Sequence, residues 1–173
     1  IIATRGSSRW QASEGPEVIY RDGYYYLFLA YGSLSVEYNT RVCRSRNIDG
    51  PYVDIHGNSA MGSAQLYPIL TAPYRFDNSY GWGGISHCGI FDDGAGNWFY
   101  TSQGRFPVNV GGNEYSNAIM MGHVRSIRWD ANGWPLVMPE RYGAVPQAPI
   151  TENEIAGDWE HLALTNSTGT QRT

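Results

Sequence analysis

The sequence predicts an all-β protein, and three observations support this class. Short runs rich in aromatic and β-branched residues alternate with Asp-Gly and Asn-Gly turn signals over residues 17–137. No segment before residue 150 shows the apolar spacing of a helix of ten or more residues. Charged residues make up only 16% of the 173 residues, and the chain contains 13 tyrosines. Such a composition is typical of a loop-rich β-sheet protein.

The first predicted hairpin lies near the amino terminus. The run EVIY (17–20) leads through Arg21-Asp22-Gly23, a hairpin turn signal, into YYYLFLAY (24–31). This second run is apolar and aromatic throughout, which predicts a strand buried on both faces. A third strand is predicted at NTRVCRSR (39–46), and a weaker one at AQLYPIL (64–70), where Pro68 limits ladder hydrogen bonds.

A second set of strands repeats this arrangement. SHCGIFDDGAGNWFYTSQGR (86–105) predicts another hairpin around a Gly-rich turn, and further strands are predicted within 116–130 and after Asn132-Gly133. Each hairpin follows a Gly/Ser-rich loop with a polar residue, Glu14 or His87, 73 positions apart. This repeat favours the four-stranded units of a β-propeller, while two copies also leave a β-sandwich open.

Charge and apolar patterning exclude several classes of function. The net charge is −4 and no run of Lys or Arg occurs, so nothing indicates a nucleic-acid partner. No apolar run approaches the roughly 20 residues that span a bilayer. Cys43 and Cys88 form neither a disulfide framework nor a metal-binding spacing, and we expect two buried thiols.

Glu14 is the first candidate for chemistry. Most glutamates are solvated surface residues, and that interpretation stays open for Glu14. However, Gly15-Pro16 restricts the backbone directly after it, and the strand that follows is apolar. Aromatic and neutral neighbours are expected to desolvate the carboxyl and favour its protonated form. A protonated carboxyl is what the donation of a proton to a departing sugar oxygen requires.

His87 and Arg105 are the next candidates. His87 lies among small residues in GWGGISHCGI (81–90), where it serves either as a structural histidine or as a metal ligand. No second ligand occurs at metal-binding spacing, so a metal here needs water or distant ligands. Arg105 ends the second aromatic strand, either as a surface cation or as a guanidinium that holds the carboxylate of Glu14.

Several aromatic residues are candidates for stacking against sugar rings, although such residues more often belong to a core. They are Trp10, Tyr31, Tyr80 and Trp82. His56, His123 and His161 have surface-like neighbours and receive no role.

Several motifs together resemble glycoside hydrolase family 43, and in particular its arabinan-degrading members. They are SEGPEVIYRDGYYYLFLAYGS (13–33), YNTRVCRSRNIDGPYVD (38–54), GISHCGIFDDGAGNWFYTSQGR (84–105) and HVRSIRWDANGWPLVMPERY (123–142). The segment ITENEIAGDWEHLAL (150–164) resembles the start of the small C-terminal β-barrel of two-domain arabinanases. The resemblance covers nearly the whole chain, with the motifs in family order.

The resemblance implies a five-bladed β-propeller with its active site on the central axis. It implies that Glu14 is the general acid, that Arg105 lies near this acid, and that His87 binds calcium or a similar ion largely through water. Trp10, Tyr80 and Trp82 are the expected substrate-binding residues. Two departures are QGR (103–105) in place of the usual HAR, and Glu17 where an apolar residue is usual.

The family also uses two aspartates, a base and a second residue that tunes the acid, and positions 1–13 contain no aspartate. We therefore expect residues 1–142 to form the C-terminal blades, 143–150 a linker and 151–173 the start of a β-barrel domain. The N-terminal blades would come from a missing segment or a separate chain, and this chain alone is expected to be inactive.

The expected activity is inverting cleavage of α-1,5-linked arabinan by an extracellular or periplasmic enzyme. A β-xylosidase or arabinofuranosidase of the same family is one alternative. A non-catalytic carbohydrate-binding β domain, in which Glu14 is incidental, is another.

Overall fold

The computed structural model describes residues 1–5, 13–34, 36–62, 65–74, 81–105, 120–144, 150–159 and 161. Two four-stranded antiparallel sheets dominate it, which confirms the all-β prediction. Sheet 1 contains β1 (Ser13–Arg21), β2 (Tyr24–Tyr31), β3 (Asn39–Ser45) and β4 (Ile69–Thr71), paired in that order. Sheet 2 contains β5 (Gly89–Asp92), β6 (Trp98–Gly104), β7 (Met121–Trp129) and β8 (Pro135–Val137), also in chain order.

The first hairpin forms at the predicted turn. Arg21 pairs with Tyr24, so Asp22 and Gly23 are the two loop residues. Both have positive φ values, 49° and 81°, which is the backbone of the type I′ turn that matches strand twist. An Asp-Gly pair adopts this conformation at little cost, and the turn therefore fixes the register of β1 against β2.

Two elements differ from their predicted extents. The strand predicted over 64–70 is reduced to the three residues of β4, which begin directly after Pro68. Proline offers no N–H to a ladder, so pairing with β3 starts only beyond it. β5 begins at Gly89 rather than at 86, because His87 has a left-handed φ of 57° that interrupts the extended chain.

The main core lies between the two sheets. Tyr26, Phe28 and Val42 from sheet 1 pack with Tyr100 and Ile127 from sheet 2. The hydroxyl groups of Thr40 and Tyr100 bond across this interface at 2.7 Å. The strand alternation of period two places these residues on the facing surfaces of both sheets.

A second core covers the opposite face of sheet 1. Leu27, Leu29 and Cys43 pack there against Tyr52 and Leu66 from the segment between β3 and β4. The prediction that the 24–31 strand is buried on both faces is therefore confirmed from Tyr26 onward.

The outer face of sheet 2 carries apolar side chains that the described residues do not cover. Phe91 is 46% exposed, Leu136 47% and Tyr142 47%. Sheet 2 therefore has one covered face and one apolar face that the described residues leave open.

Both cysteines are free and buried, as predicted. Burial raises the pKa of the Cys43 and Cys88 thiols to about 12, so both remain protonated at neutral pH.

One short helix, α1 (Glu152–Ile155), follows the sheets. The Glu154 carboxylate accepts hydrogen bonds from the N–H and the hydroxyl of Thr151, both at 2.8 Å, in a capping-box arrangement at the start of the helix. Among the described residues, no helix has the length and apolar character needed to cross a membrane. The predicted linker lies partly outside the described residues, at 145–149, as does most of the predicted barrel segment.

The strand pairing brings several chain segments to one end of the two sheets, which we call the upper end. In sheet 1, Ser13 pairs with Tyr31 and Tyr31 pairs with Asn39. In sheet 2, Gly104 pairs with Met121, and β5 starts toward the same end at Gly89, which pairs with Thr101. The upper end therefore carries the start of β1, the β2–β3 loop, the segment before β5 and the residue after β6.

Candidate active site

Glu14 is the second residue of β1 and lies at the upper end. Its pairing with β2 is irregular, because a bulge separates Glu14 from Glu17. Gly15 has a φ of 55° at this bulge, a conformation that disfavours residues with a side chain. The bulge redirects the strand beside Glu14, as bulges next to active sites do.

The expected burial of Glu14 is not supplied by the described residues. Its side chain is 56% exposed at the upper end of sheet 1, although the strand that follows was expected to desolvate it. A carboxylate in this position is accessible to a ligand from the upper end.

Tyr38, which the sequence analysis did not single out, holds Glu14 in place. Its hydroxyl donates a hydrogen bond to Oε1 of Glu14 over 2.5 Å. The Tyr38 side chain is fully buried, and this burial raises the pKa of its hydroxyl above the usual value. The hydrogen bond to Glu14 and its negative charge raise the pKa in the same direction. The phenol therefore stays protonated and acts as a donor at all ordinary pH values.

His87 lies on the other side of Tyr38. Nδ1 of His87 is 3.2 Å from the Tyr38 hydroxyl and 3.9 Å from Oε1 of Glu14. Its left-handed backbone is uncommon for a residue other than glycine, and such conformations concentrate at functional sites. The structure thus brings together Glu14 and His87, which lie 73 positions apart in the sequence.

Gly15 permits this close approach. A Cβ atom at Gly15 would lie 3.1 Å from Cγ of His87, so the bare backbone packs against the imidazole ring. The residue that allows the backbone to approach the imidazole is therefore Gly15 of sheet 1, and not one of the small residues next to His87 in the sequence.

Arg105 is 1% exposed and lies directly after β6. Its backbone pairs with Gly83 through two hydrogen bonds of 2.7 and 2.9 Å. Burial lowers the pKa of its guanidinium, and the negative charge of Glu37 opposes this effect.

Of the three predicted substrate-binding residues, only Trp82 lies in the described part of the chain. Its ring packs edge-on against His123, with centroids 4.2 Å apart, and Arg141 lies 5.2 Å from its centre. Trp82 also packs against the core between the sheets. Trp10 and Tyr80 lie outside the described residues.

His123 was expected to be a surface residue, and the structure shows that it is buried, with 2% exposure. Burial, with Arg125 and Arg141 nearby, lowers its pKa to about 4, so the imidazole is neutral at physiological pH. The alternation within β7 could have indicated this, since His123, Arg125 and Ile127 share one buried face.

The metal-binding prediction can be tested against the residues near His87. The structure holds no group of three His, Cys, Asp or Glu side chains in metal-binding proximity among the residues it describes. The single imidazole of His87, whose side chain is 58% exposed, would fit an ion whose remaining ligands are water or lie outside the described residues.

A cavity of about 330 Å³ borders Glu14. Its walls are mainly apolar, and its lining residues are Ile1, Ile2, Ala3, Thr4, Arg5, Ser13, Glu14, Pro16, Leu27 and Leu29. This volume is at the lower end of the range for small-molecule sites.

The fold and this site define a class: a protein of repeated antiparallel sheets that presents a carboxylate, a phenol and an imidazole at one end. The family model of the glycosyl hydrolases family 43 matches residues 1–135. The chain therefore belongs to this family, in agreement with the resemblance of its motifs.

Two relatives illustrate the similarity. The extracellular endo-α-(1→5)-L-arabinanase 2 of Bacillus subtilis is 30% identical over 169 residues, which cover 85% of this chain and 34% of the relative. The crystal structure of the endo-1,5-α-L-arabinanase of Thermotoga petrophila aligns with a TM-score of 0.76 at 27% identity, over 93% of this chain and 39% of that one.

A third relative acts on a different linkage. A xylan 1,3-β-xylosidase from a Vibrio species is 32% identical over 87 residues, which cover 50% of this chain and 14% of the relative. In each comparison the chain spans well under half of the relative's length, about a third of it for the arabinanases.

Proposed function

We propose that this chain is part of an inverting glycoside hydrolase that cleaves α-1,5-linked arabinan, with Glu14 as its general acid. The observation that carries the proposal is the position of Glu14. Its carboxylate is fixed by a 2.5 Å hydrogen bond from buried Tyr38, lies beside His87 and is 56% exposed at the upper end. The similarity to two endo-arabinanases supports arabinan or arabino-oligosaccharides as the substrate.

The proposed chemistry is a direct displacement at the anomeric carbon. Glu14, in its protonated form, donates a proton to the glycosidic oxygen, and the bond between this oxygen and the anomeric carbon breaks. A second carboxylate takes a proton from water on the opposite face of the sugar, and this water forms the new bond with inverted configuration. The leaving sugar departs as a neutral alcohol, which is why the acid lowers the barrier.

We propose that the second carboxylate lies outside the described residues. Among the described residues at the upper end, Glu37 is a further carboxylate, but it interacts with Arg105 and accepts a hydrogen bond from Ser33. We place the base in strands contributed from outside the chain. Residues 1–142 would then be the C-terminal blades of a five-bladed propeller, 143–150 a linker and 151–173 the start of a β-barrel domain.

An ion, with calcium as the first candidate, would be held by His87 and water. Such an ion would supply positive charge near the substrate and would order water. His87 would position it, Arg105 would hold or tune Glu14, and the aromatic residues Trp82, Tyr80 and Trp10 would orient the substrate. The name of the Bacillus relative supports secretion as the localisation.

The substitution Glu14→Gln tests the role of the acid, in the complete polypeptide that contains this chain. Hydrolysis of debranched arabinan should fall by about 10²–10⁴-fold, because the amide cannot donate the required proton. Binding of arabino-oligosaccharides, measured by calorimetry, should persist. Glu17→Gln, in the same strand, is the matched control and should leave both quantities near wild type. Unchanged hydrolysis in Glu14→Gln would place the acid elsewhere in the complete polypeptide and favour a non-catalytic carbohydrate-binding role for this chain.

The Vibrio relative supports a second candidate, a β-xylosidase of the same family. Reducing-sugar release from debranched arabinan and nitrophenol release from nitrophenyl β-xyloside separate the two. We expect the higher kcat/KM on arabinan, and a higher value on the xyloside would reverse the assignment of substrate. Neither substrate should be cleaved by the 173-residue chain alone.

A further inference from the structure

The Tyr38 hydroxyl contacts both Glu14 and His87, and its surroundings hold it in place. The hydroxyl lies 2.5 Å from Oε1 of Glu14 and 3.2 Å from Nδ1 of His87. The ring is fully buried, so the phenol cannot exchange these partners for bulk water. A buried hydroxyl between two polar groups has a fixed hydrogen-bond arrangement.

The backbone on both sides of Tyr38 is also held. The Asn39 side chain donates hydrogen bonds to the carbonyl oxygens of Tyr31, at 3.1 Å, and Glu37, at 2.9 Å. The Gly84 N–H donates to the carbonyl of Val36 at 2.8 Å, which ties the β2–β3 loop to the segment that carries His87. The phenol is therefore positioned by both sheets.

The number of protons on Tyr38 restricts what its neighbours can do. A phenol has one proton to donate and lone pairs with which to accept. The short contact assigns this proton to Oε1 of the Glu14 carboxylate. The remaining contact, with His87, then requires that Nδ1 carries a hydrogen and donates it to the phenol oxygen.

We propose that Tyr38 is a positioning residue that assigns the protons of this site: it occupies Oε1 of Glu14, so that the transferable proton lies on Oε2, and it selects the Nδ1–H tautomer of His87. Nε2 of His87 then carries the lone pair that faces a ligand. This inference rests on the proposed role of Glu14 for its catalytic consequence, while the tautomer of His87 can be measured without any turnover.

Gly15 supports the same assignment by restricting the ring. Its backbone packs against Cγ, Cδ2 and Nε2 of His87, where a Cβ atom would approach to 3.1–3.2 Å. The imidazole is therefore stacked on the Gly15 backbone with Nδ1 toward Tyr38. The exposure of the His87 side chain, 58%, leaves the other edge accessible.

The first experiment reads the His87 tautomer by ¹⁵N NMR of the complete polypeptide with labelled histidine. A chelator is present so that no ion fixes the tautomer, and His87→Gln assigns the signals. We expect a protonated Nδ1 and an unprotonated Nε2 in the wild type. Tyr38→Phe should shift population to the Nε2–H form, whereas Tyr20→Phe, in exposed β1 surface, should change nothing. A wild-type protein protonated on Nε2 overturns the proposal, as does an unchanged tautomer in Tyr38→Phe.

The second experiment separates acid positioning from general support of the fold. Tyr38→Phe should lower kcat on arabinan by about 10–100-fold, but affect an arabinoside with a dinitrophenyl leaving group less than about 3-fold, since that group departs without protonation. Equal losses on both substrates, or no loss on either, contradict the proton assignment. Failure of the proposed function has a different signature, which is full arabinan hydrolysis in Glu14→Gln.

Discussion

The two sheets share a strand order but present different chemistry at the upper end. Sheet 1 places Glu14 inside its first strand, at a bulge made possible by Gly15. Sheet 2 places His87 two residues before its first strand, in a left-handed conformation that delays β5 until Gly89. One repeated scaffold therefore carries a carboxylate in one copy and an imidazole in the other, because the irregular residues at the strand starts differ.

The sheets also differ in how they are covered. Both faces of sheet 1 are packed, one against sheet 2 and one against the segment between β3 and β4. Sheet 2 keeps an apolar outer face with Phe91, Leu136 and Tyr142 about half exposed. The more completely packed sheet is thus the one that carries the proposed acid and the Tyr38 loop.

The largest expected effect is on kcat, and it distinguishes the role of Glu14 from that of His87. In the complete polypeptide, Glu14→Gln should cost about 10²–10⁴-fold in kcat on arabinan, and His87→Gln about 10–100-fold, since His87 positions rather than transfers a proton. A dinitrophenyl arabinoside should restore much of the activity of Glu14→Gln but not of His87→Gln. Equal defects in both variants, on both substrates, would remove the functional distinction between the sheets.

The next effect concerns the core that joins the sheets. Phe28→Ala should lower the free energy of unfolding by about 3–5 kcal/mol, because it empties a fully buried site between sheet 1 and sheet 2. Ile48→Ala, at a position 62% exposed, is the control and should change it by less than about 0.5 kcal/mol. Urea unfolding of the complete polypeptide measures both, and similar values would contradict the assigned core.

A smaller effect is expected from the polar contact across the same interface. Tyr100→Phe removes the hydroxyl that bonds to Thr40 at 2.7 Å and should cost about 1–2 kcal/mol. The loss is limited because Thr40 also bonds to Ser86 at 2.8 Å. Tyr142→Phe, at a half-exposed residue of sheet 2, should be close to neutral in the same urea measurement. A neutral Tyr100→Phe would show that this contact contributes nothing to the joining of the sheets.

The smallest effect tests the hairpin turns. Sheet 2 uses a longer turn, in which hydrogen bonds from the Asn97 side chain and then the Ala95 N–H lower the pKa of Asp93 below its ordinary 3.8. Because the folded pKa is the lower one, this stabilisation is complete above pH 3.8 and is lost as the pH falls through the folded value. Asp93→Asn should therefore lower the melting temperature slightly at pH 7, and the difference should shrink at pH 3. A difference independent of pH would contradict this origin.

Much of the fold could be predicted because its signals are local. Asp22-Gly23 specifies a two-residue turn, and the run 24–31 is apolar enough to require burial on both faces. The extent of β4 and the start of β5 were less well predicted, since Pro68 and the backbone of His87 end pairing in ways that strand propensity does not include. Glu14 and His87 were identified through their flanking glycines and the family motifs.

Other features depended on contacts between distant segments. Tyr38 opens the 38–54 motif, but nothing in that motif marks its hydroxyl as a partner of Glu14. Their contact exists because the start of β1, the end of β2 and the start of β3 lie side by side. The burial of Arg105 and of His123 likewise required the alignment of strands from different parts of the chain.

The sequence by itself determined the strands, the tight turn and the residue types available for chemistry, because backbone conformation and side-chain alternation act over a few residues. Only the tertiary structure decided which of those residues meet. Strand register and the packing of one sheet on the other bring Glu14, Tyr38 and His87 within hydrogen-bond range, and these are long-range contacts that no local pattern encodes.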